Sequence, residues 1–341
     1  MIAILGGGVH GVSLAGALAR RGARGVTVFD PRQPAQGSTG AALGGFRLQH
    51  GSALNIALSV AARPWFERHA DQVDFQVNGY LYLAETDRVA ADLAARAELQ
   101  LAAGVPIEHP NPRPMVPFMN MDGYQAANFC ALDGVYRPPL ILAALSEEAR
   151  SAGADLRYGT EAADGELEGA EAVVVAAGIW STEVGRSLGV ELAVTALERV
   201  VWQVGPFDWL RRLRVPLTIE ADTGYHFRER DGQLLVMGPG DQHDFSHYRE
   251  WLARRVPAAA GAEPAGHWIG FYEMTADSHP LVGATERPGV WADCGFSGHG
   301  VMQSPAIGES LAAMILGDTP QLEIGALSPL RSERLVDLTQ V

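Results

Sequence analysis

A run of three glycines directly after the first apolar segment limits what the start of this chain can fold into. MIAIL (1–5) has the unbroken apolar character of a buried parallel strand. Residues 10–21 place their apolar side chains at helical spacing, and GVTVFD (25–30) is a second apolar strand. Together these segments predict a βαβ unit completed within about thirty residues, as dinucleotide-binding folds require.

The glycines of this turn fit the GxGxxG pattern at Gly6, Gly8 and Gly11. In this motif the first glycine makes the tight turn, the second lets a diphosphate approach the backbone, and the third allows the helix to pack closely on the strand. Gly7 is an extra glycine to which we assign no separate role. Asp30 ends the second strand, 19 positions after Gly11, where an acidic side chain binds ribose hydroxyls. The combination predicts a dinucleotide site with the helix N-terminus facing the phosphates.

The composition excludes several classes of protein. With 26 Lys and Arg against 40 Asp and Glu, the net charge is −14, which repels nucleic acid and anionic lipid. Cys130 and Cys294 are the only cysteines and lie outside any CxxC pattern, so we expect neither a disulfide framework nor a cysteine-built zinc site. His243 and His247 lack a third ligand nearby, and we expect no metal. The first strand begins at Met1 and no apolar run approaches the roughly 18 residues of a membrane span, so we expect a cytoplasmic protein.

Four further segments occur in a characteristic order. They are GSTGAALGGFRLQHG (37–51), EAVVVAAGIWS (171–181), FYEMTADSHPLVG (271–283) and DCGFSGHGVMQSPAIGESLA (293–312). This order resembles the flavoprotein family that contains D-amino-acid oxidase, glycine oxidase and sarcosine oxidase. The GGxRxQ, GxY(E/D)MTxD and GFSGHG patterns are most similar to the flavin-bearing β subunits of heteromeric sarcosine oxidase and L-proline dehydrogenase. Ala276 stands where many relatives have proline.

The resemblance implies an α/β (α+β) fold with a Rossmann-like FAD-binding domain and an interleaved substrate domain. The substrate domain is expected to rest on a mostly antiparallel β-sheet, because residues 190–272 have mostly strand-like patterns. The predicted FAD-binding domain comprises residues 1–75, 130–188 and 273–341, and the predicted substrate domain comprises residues 76–129 and 189–272.

The resemblance also implies FAD, held covalently or noncovalently between the two domains. A helix predicted to begin near Ser304 and Pro305 would stabilise negative charge at the N1 and O2 edge of the flavin. The residues predicted to bind the cofactor are Gly6, Gly8, Val9, His10, Gly11, Asp30, Pro31, Arg32, Ser38, Thr39, Leu43, Gly44, Gly45, Ala177, Gly178, Trp180, Gly295, Gly298, His299, Gly300, Val301 and Met302. Cys294 and His50 are positions at which covalent attachment is worth testing, although we do not expect attachment.

An amino-acid substrate brings a carboxylate into an apolar cavity, where arginine is its natural partner. Arg47, in GGFRLQH, is one candidate. Arg228 and Tyr225 lie on the predicted strand GYHFRER, on opposite faces because side chains alternate along a strand. The sequence does not determine which face of that strand lines the cavity.

Aromatic and histidine side chains complete the predicted catalytic set. Tyr272 and Glu273, in FYEM, are candidates for substrate contact, and His299 lies beside the flavin if the resemblance holds. Gln49 and His50 follow Arg47 in the same segment and are further candidates. For each of these side chains, a buried structural role is the alternative.

The predicted reaction is FAD-dependent oxidation of a small amino acid at its amine carbon by hydride transfer to flavin N5, which gives an imine. Sarcosine- or proline-like secondary amines come first, followed by D-amino acids and glycine. The expected partners are the amino acid and an electron acceptor, either oxygen or a quinone-type compound. The sequence offers no dedicated lysine to assist oxygen reduction, which slightly favours a dehydrogenase over an oxidase. The alternatives are a 2-hydroxy-acid oxidoreductase on the same fold and a flavin-carrying subunit that is active only in a heteromeric complex. The sequence leaves open whether the protein forms a homo-oligomer or a hetero-oligomer.

Overall fold

The first thirty residues form the βαβ unit that the glycine pattern predicts. β1 (Ile2–Leu5) and β2 (Val26–Asp30) pair in parallel, and α1 (Val9–Arg20) connects them. Every residue of β2 is buried, which accounts for its unbroken apolar sequence. The structure is a computed structural model that describes residues 1–338.

The other strands and helices follow along the chain. The strands are β3 (Gly45–Phe46), β4 (Tyr80–Ala84), β5 (Ala126–Cys130), β6 (Gly134–Val135), β7 (Asp155–Tyr158), β8 (Ala172–Val175), β9 (Thr195–Val204), β10 (Leu217–Glu220), β11 (His226–Arg230), β12 (Gln233–Met237), β13 (Pro264–Met274), β14 (Leu281–Ala284) and β15 (Val290–Cys294). The helices are α2 (Ser38–Ala41), α3 (Ala53–Arg68), α4 (Ala70–Val73), α5 (Asp87–Ala102), α6 (Pro138–Ser151), α7 (Asp164–Glu168), α8 (Ser181–Ser187), α9 (Ser246–Arg255) and α10 (Gly300–Leu316). None of the helices between residues 1 and 338 is long and apolar enough to cross a membrane.

A six-stranded sheet contains the βαβ unit at its centre. Its strand order is β14-β15-β8-β1-β2-β7. All neighbours are parallel except β14, which pairs antiparallel with β15 at the edge. The carboxyl ends of the parallel strands therefore meet at one edge of the sheet, where ligands bind in folds of this kind.

A seven-stranded sheet forms the second layer, with the order β13-β9-β12-β11-β10-β4-β5. Its neighbours are antiparallel except for β4 and β10. One face packs Phe227 against Trp251 of α9. The opposite face carries Val201 and Met237, which pack against Leu43. Only this second face therefore looks toward the glycine turn.

Small residues allow the helices to pack closely over the six-stranded sheet. α1 contacts both α6 and α10. A Cβ on Gly308 would lie 2.5 Å from Oγ of Ser13, and the same hydroxyl donates a 2.8 Å hydrogen bond to the Ser304 carbonyl. The start of α10 is thus held against the start of α1, which brings two helix N-termini to the same edge of the sheet.

This architecture confirms the predicted α/β class with its Rossmann-like sheet and its largely antiparallel second sheet. One local prediction is wrong. The last helix begins at Gly300 rather than near Ser304 and Pro305, and Pro305 lies inside it. The proline has no N–H to donate to the Val301 carbonyl, and Ser304 Oγ donates to that carbonyl instead.

The two sheets draw on the chain segments that were predicted for the two domains, except that β5 and β13 cross the predicted bounds by one or two residues. The division into two domains with those bounds stays a prediction.

Candidate active site

The turn between β1 and α1 approaches the backbone of β8 very closely. Gly6 has a φ of +123°, and a Cβ at this position would lie 2.1 Å from the carbonyl oxygen of Ala176. A Cβ on Gly11 would lie 2.0 Å from the Gly6 carbonyl oxygen. Both positions therefore require glycine, for the turn and for helix packing as the motif predicts.

Asp30 lies beside this turn at the end of β2 and is buried. Its Oδ2 accepts a 2.9 Å hydrogen bond from Gly7 N, and its Oδ1 accepts one of 2.9 Å from Arg32 N. Gly7 consequently has a role that sequence reasoning missed. Its amide positions the carboxylate, and its carbonyl accepts a 2.9 Å bond from Tyr158 Oη. A side chain at Gly7 would collide with the Tyr158 ring.

A first cleft opens at this edge of the six-stranded sheet and holds about 620 Å³ of space, including the part open to solvent. One side is covered by Arg32, whose Cζ lies 3.6 Å from the centre of the Trp180 ring. The predicted cofactor-binding residues that line this cleft are Gly6, Gly8, Val9, His10, Asp30, Arg32, Ser38, Thr39, Ala177, Gly178 and Trp180.

A second cleft of about 630 Å³ continues from the first between α10 and the seven-stranded sheet. Val9, His10, Ser38, Thr39 and Glu273 line both clefts, so the two form one continuous groove. The second cleft is also lined by the predicted residues Leu43, Tyr272, Gly298, Gly300 and Val301. The predicted cofactor-binding residues that line neither cleft are Gly11, Pro31, Gly44, Gly45, Gly295, His299 and Met302, and the same holds for the catalytic candidates Arg47, His50, Tyr225 and Arg228.

Helix α10 presents its N-terminus to this second cleft. Gly300 is its first residue and lines the cleft, and His299 occupies the N-cap position. The unpaired N–H groups and the positive dipole end of the helix favour a negative charge there. The helix starts about one turn earlier than predicted, and its electrostatic role toward the flavin stays a prediction.

The position of Arg228 does not match its predicted role in binding substrate. Its Nη1 donates to the carbonyls of Leu43, Gly44 and Tyr136 at 3.1, 2.7 and 2.8 Å. Burial lowers its pKa to about 10. The side chain thus ties β11 to the segment before β3 through Nη1, and it lines neither cleft.

Tyr225 lies on the opposite face of the sheet, away from both clefts. Its ring stacks on Trp251 with centroids 5.2 Å apart, and its Oη lies 2.7 Å from His247 Nδ1. Tyr225 is therefore separated from the residues that it was predicted to accompany. The face of β11 that looks toward the clefts is the one carrying His226 and Arg228.

His243 and His247, the pair considered for a metal, both have hydrogen-bond partners within the protein. His247 Nε2 lies 2.6 Å from the Asp241 carbonyl, and His243 Nε2 lies 2.5 Å from Glu198 Oε1. Across residues 1–338, no group of three or more His, Cys, Asp and Glu side chains is arranged to hold a metal ion.

Arg47, His50 and His299 come together in a buried polar chamber behind the start of α10. Arg47 Nη1 donates to Tyr82 Oη at 2.6 Å, and the His50 and His299 rings meet edge to face with centroids 5.2 Å apart. Burial lowers the pKa of Arg47, but Tyr82, Tyr80 and Asp337 raise it, and the net pKa is above its ordinary value. The guanidinium therefore stays charged.

The two histidines of this chamber are neutral near pH 7. Burial, together with the charge of Arg47, lowers the pKa of His50 well below its ordinary value and that of His299 to about 3. His50 Nε2 lies 2.9 Å from Ser59 Oγ. Gln49 Nε2 donates to the Tyr80 carbonyl and to Asp133 Oδ2, both at 3.0 Å, which makes its contacts structural.

Comparison with known proteins identifies the family of this chain. Residues 1–314 match the model of the DAO family, described as FAD dependent oxidoreductase. The chain belongs to this family. It is an FAD-dependent oxidoreductase, as the order of its motifs predicts.

Several DAO-family relatives resemble this chain along most of its length. A glycine oxidase of Geobacillus kaustophilus (strain HTA426) is 27% identical over 92% of each chain. A mitochondrial dimethylglycine dehydrogenase of Rattus norvegicus is 27% identical over 96% of this chain and 44% of its own length. The crystal structure of L-proline dehydrogenase from P. horikoshii superposes with a TM-score of 0.87 at 25% identity, covering 98% of this chain and 97% of that one.

The groove fits the FAD of this family. The glycine turn leaves backbone exposed to a diphosphate, and the buried carboxylate of Asp30 is placed for a ribose. Buried polar atoms that lack hydrogen-bond partners within the described chain also line it, including Ser38 Oγ and Arg32 Nη1. Such atoms are normally paired, so the groove is built for a polar ligand. Cys294 and His50, the two positions considered for covalent attachment, line neither cleft.

Two charged residues of the groove were missed by sequence reasoning. Arg199 lies on β9 and lines the second cleft, with its Cζ 5.4 Å from the centre of the Tyr272 ring. Asp293 lies on β15 and lines the first cleft. The alternation of Arg199 with Val201 was visible in the sequence, but the face of β9 that meets the FAD-binding sheet was not.

Proposed function

We propose that this FAD-dependent oxidoreductase oxidises a small amino acid at its amine carbon and gives an imine that water hydrolyses. The observation that carries the proposal is the guanidinium of Arg199 in the second cleft, beside Tyr272 and near the N-terminus of α10. A largely apolar cleft with one arginine among its few polar residues suits a ligand that has a carboxylate at one end.

Of Arg47, Arg199 and Arg228, only Arg199 lines the second cleft. Arg228 lines neither cleft, and its Nη1 donates to backbone carbonyls. Arg47 is buried behind α10, donates to Tyr82 and lines neither cleft. Arg199 is half-buried and lines the cleft, so its planar group is available to a carboxylate.

The other lining residues support orientation and the exclusion of water. Leu43, Val201 and Met237 provide an apolar wall, and the Tyr272 ring lies against Arg199. When bound, FAD supplies the acceptor for the two electrons of the substrate C–H bond. The chain's part is to hold the amine carbon at a fixed position and to keep the carboxylate paired.

Small substrates with a secondary amine come first in this proposal. The relatives are named for glycine, dimethylglycine and L-proline, and each of these compounds is a carboxylate with a compact amine. Sarcosine- and proline-like compounds therefore precede glycine and D-amino acids. A cytoplasmic location, association into a homo- or hetero-oligomer, and the individual roles of the site residues stay predictions.

The test is anaerobic mixing of the purified flavoprotein with sarcosine, L-proline, D-alanine, glycine and 2-hydroxyglutarate, while the flavin absorbance is recorded. Bleaching by one or more of the amino acids is the expected result. Bleaching by the hydroxy acid alone would overturn the substrate class in favour of a 2-hydroxy-acid oxidoreductase. Failure of every compound to bleach the flavin would favour a subunit that acts only with a partner.

A further inference from the structure

Two buried titratable side chains face the point at which the two clefts join. His10 lines both clefts and is 7% exposed, and Asp293 lines the first cleft and is 1% exposed. Their nearest atoms, His10 Nδ1 and Asp293 Oδ1, are 3.4 Å apart. Within residues 1–338, neither ring nitrogen and neither carboxylate oxygen has a hydrogen-bond partner. Buried polar atoms are normally hydrogen-bonded, so these four atoms together indicate a polar ligand at this point.

The local fold holds both side chains firmly. His10 is the second residue of α1, and its ring stacks on Phe296 with centroids 3.5 Å apart. Asp293 is the fourth residue of β15 and is aligned with Val282 of β14. A Cβ on Gly300 would lie 2.8 Å from His10 Nε2, so that nitrogen points toward the start of α10.

We propose that His10 and Asp293 together bind the hydroxyl groups of the ribityl chain, which links the diphosphate of FAD to its ring. This pair lies between the glycine turn, which suits the diphosphate, and the second cleft, which suits the ring. The inference depends on FAD and is independent of the amine substrate.

The chemistry of a carboxylate selects the ribityl chain over the diphosphate. An ionised carboxylate only accepts hydrogen bonds, and an anionic diphosphate has none to donate. Ribityl hydroxyls are donors and suit Asp293. Glu273, the other acid at this junction, already accepts a 3.0 Å bond from Gly295 N through its Oε2. Both carboxylate oxygens of Asp293 are thus available to accept hydrogen bonds from ribityl hydroxyls. His10 orients this carboxylate through its Nδ1, and its Nε2 can accept a hydrogen bond from a further hydroxyl or donate one to it.

The test compares FAD with ADP, which contains the adenosine diphosphate but neither ribityl chain nor ring. Apoprotein carrying Asp293→Asn is titrated with each ligand. We expect FAD to bind about 10- to 100-fold more weakly, as for a lost hydrogen bond to a charged group, and ADP to bind as tightly as before or more tightly. Asp30→Asn is the matched control and should weaken both ligands by similar factors.

The melting temperature of the apoprotein separates this role from a structural one. A buried carboxylate without hydrogen bonds destabilises the protein, so Asp293→Asn should leave the melting temperature of the apoprotein unchanged or raise it while FAD binding weakens. A lower melting temperature, unchanged FAD affinity, or equal weakening of FAD and ADP would each overturn the proposal. His10→Asn, titrated in the same way, decides the question if the first variant yields no soluble apoprotein. The variant that combines His10→Asn with Asp293→Asn should lose less affinity for FAD than the sum of the losses in the two single variants.

Discussion

Replacing Arg199 by methionine tests the proposed binding of the substrate carboxylate most directly. Arg199 lies on the inner face of β9 beside Val201, and methionine retains the apolar stem that packs there. The change removes the guanidinium and leaves FAD contacts at the glycine turn intact. The substrate carboxylate would then enter an apolar cleft without a cationic partner.

The expected loss follows from the bonds that disappear. One hydrogen bond between charged groups contributes about 1.5–3 kcal/mol, and a two-bonded guanidinium–carboxylate pair in this half-buried position should contribute about 2–4 kcal/mol. We therefore expect kcat/KM for the best amino-acid substrate to fall about 30- to 1000-fold, mostly through KM. Steady-state kinetics with a defined electron acceptor, normalised to bound flavin, measure this loss.

Arg230→Met is a matched control for that variant. Arg230 also lies over an aromatic ring of β13, with its Cζ 5.1 Å from the centre of the Trp268 ring, but it lines neither cleft. This control should change kcat/KM less than about 3-fold. An amine without a carboxylate should be equally poor with Arg199→Met and with the unmodified protein. Equal losses in the two variants, or an equal loss for the amine without a carboxylate, would refute the assignment of Arg199.

Three further predictions concern the fold that supports the site. Gly6→Ala should yield colourless, poorly folded protein in absorbance and melting measurements, because its Cβ would lie 2.1 Å from the Ala176 carbonyl oxygen at a φ of +123°. Asp277→Asn should lower the free energy of unfolding by about 1–2 kcal/mol at pH 5 and by almost nothing near pH 2. Burial raises the pKa of Asp277, but bonds from Arg331 bring it to about 2, so its stabilisation is present above its unfolded pKa and disappears as pH falls through 2. Burial raises the pKa of Asp133 to about 7, so the unmodified protein should lose stability between pH 4 and pH 7 in denaturant titrations, and Asp133→Asn should remove that part of the decline.

Much of the cofactor-binding half was predictable because its signals are local. A glycine turn, the helix after it and the acid at the end of the next strand lie within 30 residues and are held by bonds among themselves. Such short-range constraints leave a direct pattern in the sequence. The family-specific segments added the remaining parts of the groove, where Leu43, Gly298 and Val301 line the second cleft as predicted positions.

The substrate half was less predictable because its geometry depends on contacts between distant segments. The strand pattern of GYHFRER separates Tyr225 from Arg228 but does not say which face meets the other sheet. That choice depends on α9 covering the Tyr225 face. Arg228 lies on the face that looks toward the clefts but lines neither of them, and its Nη1 donates to carbonyls 92 to 185 positions away. Arg199 carries no motif and becomes a candidate only when β9 and β13 are paired.

The charge behind α10 bears on the choice between oxidase and dehydrogenase. The whole chain contains no lysine, so a cation that assists oxygen reduction has to be an arginine or a protonated histidine. His50 and His299 are excluded near pH 7, because burial lowers the pKa of both. Arg47 remains charged, and its backbone N lies 3.5 Å from Met302 Sδ in the first turn of α10. The chain thus keeps a permanent cation, Arg47, buried behind the start of α10, and the absence of lysine does not by itself favour a dehydrogenase. Comparing reoxidation of the reduced flavoprotein by oxygen and by a quinone separates the two activities.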